Sequence, residues 1–335
     1  MIAGLLTRLL QGLGVMLVVG LLAFAVSTKL GDPVNNMLGQ NATTEEREAM
    51  RHELGLDRPF VVQYVRYLGR VVQGRLGVSY RLGIPVGELL RERLPASVEL
   101  SGMAMLLTLL IGVPFGIYTA IHRRSWLSRV VLGGSLVGLS VPTFLIGLLL
   151  IFLFAVQLQW LPSSGRGQVV SLGPWTTGLL TASGLRSLLL PSITLALYSL
   201  ALLLRLVRGE LLDVLHSDHV RFARARGLSD RSIHYRHGLR NALLPVITVA
   251  ALQLGGLLAF AVVTETVFQW PGMGLLFLQA VQFVDVPVIS SYLLLAAVVF
   301  VFINLVVDLS YRVLDPRVRS TMKTRQFLKT MNLAY

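Results

Sequence analysis

Apolar residues in this chain do not alternate with polar ones; they run on. Stretches free of Asp, Glu, Lys, Arg and His extend over Leu9–Thr28, Leu100–Ile121, Val130–Gly165, Ser187–Leu204, Asn241–Thr264 and Val286–Val307. A helix needs about 20 apolar residues to cross a hydrocarbon core about 30 Å thick, so each stretch predicts one crossing. The third is too long for a single helix, and Trp160-Leu161-Pro162 breaks it, which ends its crossing near Val156. The pattern predicts an all-α polytopic membrane protein with six transmembrane helices. One lies within residues 1–30 and the others near 100–121, 130–156, 187–206, 241–264 and 286–307. The first stretch is longer than the apolar region of a usual signal peptide, so a retained helix is expected there.

Gly167–Leu185 is also uncharged, but Gly173-Pro174, Gly178 and Ser183-Gly184 interrupt it, and no seventh crossing is expected. The charges agree. With six crossings, one side collects Arg8, then Arg123, Arg124 and Arg129, then eight arginines from Arg205 to Arg240, then six basic residues in the tail 311–335. The short loops of the opposite side carry only Arg166 and Arg186. Basic residues favour the cytoplasmic side, so both termini are expected there. Residues 31–95, with nine arginines, fall outside; a segment of this length is largely exempt from the charge rule. Thr43-x-x-Glu46 fits a capping box before a charged helix ending near Gly55. Pro59 then suits the start of a second helix with Phe60, Tyr64 and Leu68 on one face. A small helical cap is expected. Residues 96–310 form the transmembrane core and 311–335 a cytoplasmic tail.

Composition narrows the function. Apolar residues make up 54% of the 335 and charged ones 14%, against about 25% charged in soluble domains. A soluble enzyme is excluded. The net charge of +13 lies between apolar runs, which points to membrane flanks and not to nucleic acid. Zero cysteines exclude disulfides and thiolate metal sites. No H-E-x-x-H or G-x-S-x-G occurs, and none of the three lysines follows a glycine, so no phosphate-binding loop is present. No catalytic residue, cofactor or metal is expected, and any uphill transport must draw its energy from a partner. The middles of the spans hold no ionisable residue, which argues against an ion-coupled carrier. Gly112-x-x-x-Gly116 and Gly134-x-x-x-Gly138 permit close helix packing, while Pro114 and Pro142 are expected to bend their helices.

The loop 208–240 carries the most distinctive chemistry. Ser217 can cap a short helix that Gly227 ends, and Ser229 can cap a second one. Such a knob displays Phe222 and small Ala223 and Ala225 among Arg221, Arg224 and Arg226, a surface suited to docking another protein. A solvated basic loop that only sets orientation is the alternative.

Asp218–Gly227, followed by Arg236-His237-Gly238-Leu239-Arg240-Asn241-Ala242-Leu243-Leu244-Pro245, resembles the cytoplasmic coupling loop of bacterial ATP-binding-cassette importer permeases. The resemblance is to the first permease subunit of the dipeptide/oligopeptide branch. It extends to Leu54-Gly55-Leu56-Asp57-Arg58-Pro59, Leu76-Gly77-Val78-Ser79, Leu94-Pro95-Ala96-Ser97-Val98-Glu99-Leu100, Glu265-Thr266-Val267-Phe268-Gln269-Trp270-Pro271-Gly272-Met273-Gly274 and Leu314-Asp315-Pro316-Arg317. Two departures stand out: Arg221 where the general loop pattern has Glu, and Val284-Asp285-Val286-Pro287 where relatives often read Arg-Asp-Tyr-Pro. The resemblance implies a type I importer permease fold and alternating access driven through Asp218, Arg221, Phe222, Ala223, Arg224, Ala225, Arg226 and Gly227. It also implies a homologous second permease, two ATP-binding subunits and an external solute-binding protein. Short peptides are the implied solute; a nickel chelate or glutathione is the alternative within the fold, and a stand-alone channel or carrier or a non-transporting receptor the alternatives outside it. Thr264, Glu265 and Phe268, just after the fifth crossing, are candidates for the outer rim of the path. Glu265 either attracts a peptide amino terminus or hydrogen-bonds within its own loop.

Overall fold

The computed structural model describes residues 2–30, 43–54 and 57–314. Its elements are α1 (Ile2–Leu30), α2 (Thr44–Leu54), α3 (Phe60–Val72), α4 (Val86–Ile121), α5 (Trp126–Ser140) and α6 (Thr143–Leu150), which continues as wider π-helical turns over Ile151–Gln157. A hairpin of β1 (Val170–Leu172) and β2 (Trp175–Thr177) follows, then α7 (Ala182–His216), α8 (Asp218–Ala225), a π-helical stretch Ser232–Leu239, α9 (Arg240–Phe260), α10 (Val262–Val267), α11 (Met273–Gln282) and α12 (Val286–Leu314). Helices occupy all six predicted places. Among the described residues, α4, α7 and Val286–Val307 of α12 are long and apolar enough to cross a membrane singly.

Pro142 bends the third crossing as expected: α5 and the helix from Thr143 to Gln157 are bent by 109°. A residue before proline is pushed towards extended backbone, and Val141, before Pro142, sits at φ −90°, ψ 130°. Pro114, by contrast, leaves α4 unbroken. The second helix also starts far earlier than Leu100, at Val86, and runs through Pro95. Finally, the interrupted stretch after Gly167 is not purely irregular; Val170 pairs with Thr177 and Leu172 with Trp175, antiparallel, around Gly173 at φ +67°. Glycine takes that left-handed conformation without the Cβ penalty.

The chain divides into two compact units. One comprises Met1–Leu100, Ile151–Leu189 and Ala259–Val301. In it the capping box forms as expected: Glu46 N–H donates to Thr43 Oγ1 at 3.3 Å and Thr43 N–H to Glu46 Oε2 at 2.9 Å. Gly55, the expected end of that helix, lies outside the described residues. Helix α3 lays its aromatic face on α1, with the Phe24 ring 5.1 Å from Phe60 and 5.8 Å from Tyr64, and Tyr64 Oη–H donating to Leu17 O at 2.7 Å. A core of Val86, Leu89 and Leu90 packs against Met273, Leu276, Val288 and Ile289. This core seats the start of α4 beside α11 and the start of α12.

The second unit comprises Ser101–Leu150, Leu190–Leu258 and the described part of Phe302–Tyr335. Here α4 and α7 run parallel in one register. Thr108 Oγ1–H lies 3.5 Å from Ala196 O, a Cβ added at Gly112 would meet Leu200 O at 3.5 Å, and one at Gly116 would meet Leu204 O at 2.9 Å. Gly138 of α5 likewise abuts Leu197 O. Small residues thus let backbones approach. Gly134 does not: a Cβ there meets nothing within 4 Å.

Candidate functional site

The first site is a clamp built on residues 96–99 of α4. Successive residues on this helical turn point in different directions, and each takes a partner from a distant segment. Trp270 Nε1–H donates to Ala96 O at 2.9 Å. Ser97 Oγ–H donates to Glu265 Oε1 at 2.5 Å and accepts from Met273 N–H at 2.7 Å. Glu99 Oε2 accepts from Arg166 Nη2–H at 2.7 Å and Nε–H at 3.2 Å. Arg166 also donates to Thr176 Oγ1 at 3.0 Å and Thr176 O at 2.7 Å, while Gly178 N–H approaches Glu99 Oε1 at 3.3 Å. The hairpin and the α10–α11 connection are therefore both tied to one turn of α4. Gly165 N–H donates to Phe268 O at 2.9 Å and ties them to each other.

Thr264, Glu265 and Phe268 all lie inside this clamp and are buried. The Glu265 carboxylate, with no exposed surface, accepts from Ser97 and from Leu275 N–H at 2.9 Å. Gly272 is pressed so close that a Cβ would sit 2.3 Å from Glu265 Oε1. Burial pushes the Glu265 carboxyl above the usual carboxylate range, while the Ser97 hydroxyl and the Leu275 and Gly274 N–H groups pull it back. A shape-matched amide in place of the acid still accepts from Leu275 and donates to Ser97 Oγ. Glu265→Gln is accordingly expected to change transport only in proportion to protein abundance. Glu265→Ala leaves two buried donors unpaired, at about 1–3 kcal/mol each, and is expected to lower abundance. Uptake normalised to membrane protein checks this; a Glu265→Gln loss beyond abundance would restore a recognition role.

A second carboxylate was not singled out from sequence as a structural anchor. Asp285, in the tetrapeptide that departs from relatives, is buried and accepts from the Ser79 hydroxyl and from Tyr80 N–H at 3.2 Å. The Arg81 guanidinium lies 3.7 Å above the Phe283 ring beside it.

The other site is the knob formed by α8 and the π-helical stretch. Helix α8 turns Val220 and Ala223 inward, both buried, and leaves Arg221, Phe222, Arg224, Ala225 and Arg226 exposed. Phe222, 65% exposed, is the most exposed large apolar group there, ahead of Tyr235 and Leu228, with the Arg226 guanidinium 5.5 Å from its ring. Asp218 pairs with Arg221 at 3.7 Å on the surface. Gly227 ends the helix at φ +80° with open space where a Cβ would be. Ser217 takes the cap position, but its hydroxyl donates back to Val214 O and makes no cap bond. Ser229 Oγ accepts from Ser232 N–H at 3.4 Å and starts the second helical segment. Fully buried Ile233 and Leu211 anchor the knob: a Cβ on Gly238 would meet Ile233 O at 3.1 Å and Leu211 Cδ1 at 3.2 Å. Leu211 belongs with Ala120 and Ala242 to one apolar cluster, so the knob rests on the ends of α4, α7 and α9.

Helices of bilayer length joined to an exposed knob that packs on their ends mark a membrane protein with a surface open to a partner. Among the described residues no cluster of metal-ligating side chains occurs. Residues 112–320 match the family described as "Binding-protein-dependent transport system inner membrane component", and residues 1–101 match the N-terminal region of such components. The chain belongs to this family. It is 36% identical over 332 residues to the dipeptide transport system permease protein DppB of Alkalihalophilus pseudofirmus, covering 95% of this chain and all of that one. It is 42% identical over 306 residues to the probable D,D-dipeptide transport system permease protein DdpB of Escherichia coli, covering 86% and 88%. Among solved structures, the MetNI methionine ABC transporter in an inward-facing conformation matches with a TM-score of 0.54 at 17% identity, over 68% of this chain and 96% of that one. That likeness establishes the ABC importer permease fold. As the membrane component of such a system, the chain is distinct from its ATPase.

Proposed function

We propose that this chain is one of two homologous permease subunits of an ATP-driven importer for short peptides. Two ATP-binding subunits hydrolyse ATP, and an extracytoplasmic solute-binding protein delivers the peptide. The observation that carries the peptide assignment is near full-length identity to permeases named for dipeptides. The knob supports the energy route: its exposed Phe222 and arginines offer a docking surface, and its buried Ile233 and Leu211 link that surface to the helices. Closure of the ATPase pair would move α8 as a lever and so reorient the helices around the path. In this reading both termini and the knob are cytoplasmic, the hairpin and α10–α11 extracytoplasmic, and the chain itself breaks no bond.

Proteoliposomes containing the complete importer test this. Labelled di- and tripeptides are expected to accumulate only with ATP and the binding protein, and a reporter fused after Gly227 is expected to read cytoplasmic. Peptide entry without ATP would overturn the energy route. ATP-dependent uptake of another solute, with no peptide accepted, would overturn the substrate.

A further inference from the structure

The second unit contains a crevice of about 220 Å³ between α4, α5 and α7. Phe115 of α4 and Gly134 and Ser135 of α5 line it, and α7 adds two stripes, Leu197 with Ala201 and Leu200 with Leu204. The walls are almost wholly hydrocarbon. Gly134 opens them, since no atom lies within 4 Å of where its Cβ would be.

Each α7 stripe continues one turn further to an arginine. Residues four apart share a helix face, so Leu197 and Ala201 lead to Arg205, and Leu200 and Leu204 to Arg208. Arg205 is exposed, and its Nε–H reaches back along the helix to Ser135 Oγ at 3.4 Å, on the rim of the crevice. Long helical side chains point towards the N-terminus, which places this guanidinium within a span whose sequence reads as uncharged. The buried Nε of Arg208 has no partner among the described residues.

We propose that this crevice holds one acyl chain of an anionic phospholipid, whose phosphate lies on Arg205 and Arg208. The chemistry is complementary at both ends. Helices of bilayer length have lipid tails as solvent, and an apolar crevice gives water nothing to bond. Peptides would find no backbone partners on its walls. Guanidinium forks match phosphate oxygens closely, and Trp126, 71% exposed at the start of α5 next to Arg123 and Arg124, marks the level of the polar interface on this side. The inference concerns lipid and holds whatever solute the importer carries.

The test uses the complete importer, purified and mixed with phosphatidylglycerol or phosphatidylcholine, with bound lipid counted by native mass spectrometry. Phosphatidylglycerol is expected to be retained preferentially. Arg205→Gln with Arg208→Gln is expected to reduce that preference, by about fivefold for each arginine. Gly134→Leu, which adds a side chain to the crevice wall where no atom lies within 4 Å of the Cβ position, is expected to abolish retention of either lipid. Phosphatidylglycerol with a photoreactive tail, applied to the unmodified importer, is expected to label residues 111–138 and 197–204, which keeps the test independent of how the variants fold. Absence of that labelling, or a lipid preference unchanged in the double variant, would overturn the site. So would loss of the partner permease in Gly134→Leu with lipid retention unchanged, which would make the crevice a protein contact.

Discussion

Arg166→Ala is expected to destabilise the chain by about 3–5 kcal/mol, the usual cost of breaking a buried ion pair by removing one partner. The side chains of Arg166 and Glu99 are only 8% and 4% exposed. Removing the guanidinium strands the Glu99 carboxylate with Gly178 N–H as its remaining donor and leaves Thr176 O unpaired. The hairpin's hold on α4 then falls to the Gly178 contact. Thermal unfolding of the purified protein, together with proteolysis within 163–181, measures this. The companion variant Arg166→Met with Glu99→Gln removes both charges, so no unpaired charge is left buried, and the amide oxygen introduced at position 99 can still accept from Gly178 N–H. The double variant is therefore expected to be more stable than Arg166→Ala alone, and with the single variants Arg166→Met and Glu99→Gln it closes a cycle that gives the coupling energy. A single variant within about 1 kcal/mol of the parent would show that the pair holds nothing.

This pair also shows where the sequence stopped being legible. Uncharged runs marked where helices lie, because desolvating a charge in hydrocarbon is costly enough to exclude it along the whole crossing. The cap at Thr43 and the stop at Gly227 were legible for a related reason: both are decided by atoms within four residues. Arg166 read only as a lone basic residue in a loop, since its partner lies 67 positions away. Ser79 and Asp285 are 206 positions apart and gave no sign of each other. The path-facing and structural readings of Glu265 could not be separated without its burial. Two motifs that marked the family, around Leu94–Leu100 and Glu265–Gly274, prove to be the two halves of one clamp, joined through Ala96, Ser97, Glu265 and Trp270. The contact of Arg205 with Ser135, 70 positions away, was equally invisible.

At the knob, Gly227→Asp is expected to reach the membrane at near-normal levels and to lose at least tenfold in peptide-stimulated ATP hydrolysis, a barrier change of about 1.4 kcal/mol or more. The backbone demand is real but modest. Gly227 sits at φ +80°, where a Cβ costs about 1–2 kcal/mol, and Asp is among the side chains that tolerate this region best. No steric clash adds to it, since the space around the glycine is open. What changes is charge. An aspartate at 227 introduces a negative group beside exposed Arg221, Arg224 and Arg226, and draws onto itself the guanidinium groups that in our reading face the ATPase. Gly227→Asn separates the two causes, because it makes nearly the same backbone demand without the charge. Near-parental ATPase stimulation is expected for Asn and a loss for Asp. Equal loss in both would reduce Gly227 to a helix stop. An Asp variant that assembles, hydrolyses ATP and imports peptide normally would remove α8 from the coupling route, and the force would then have to enter the membrane helices elsewhere.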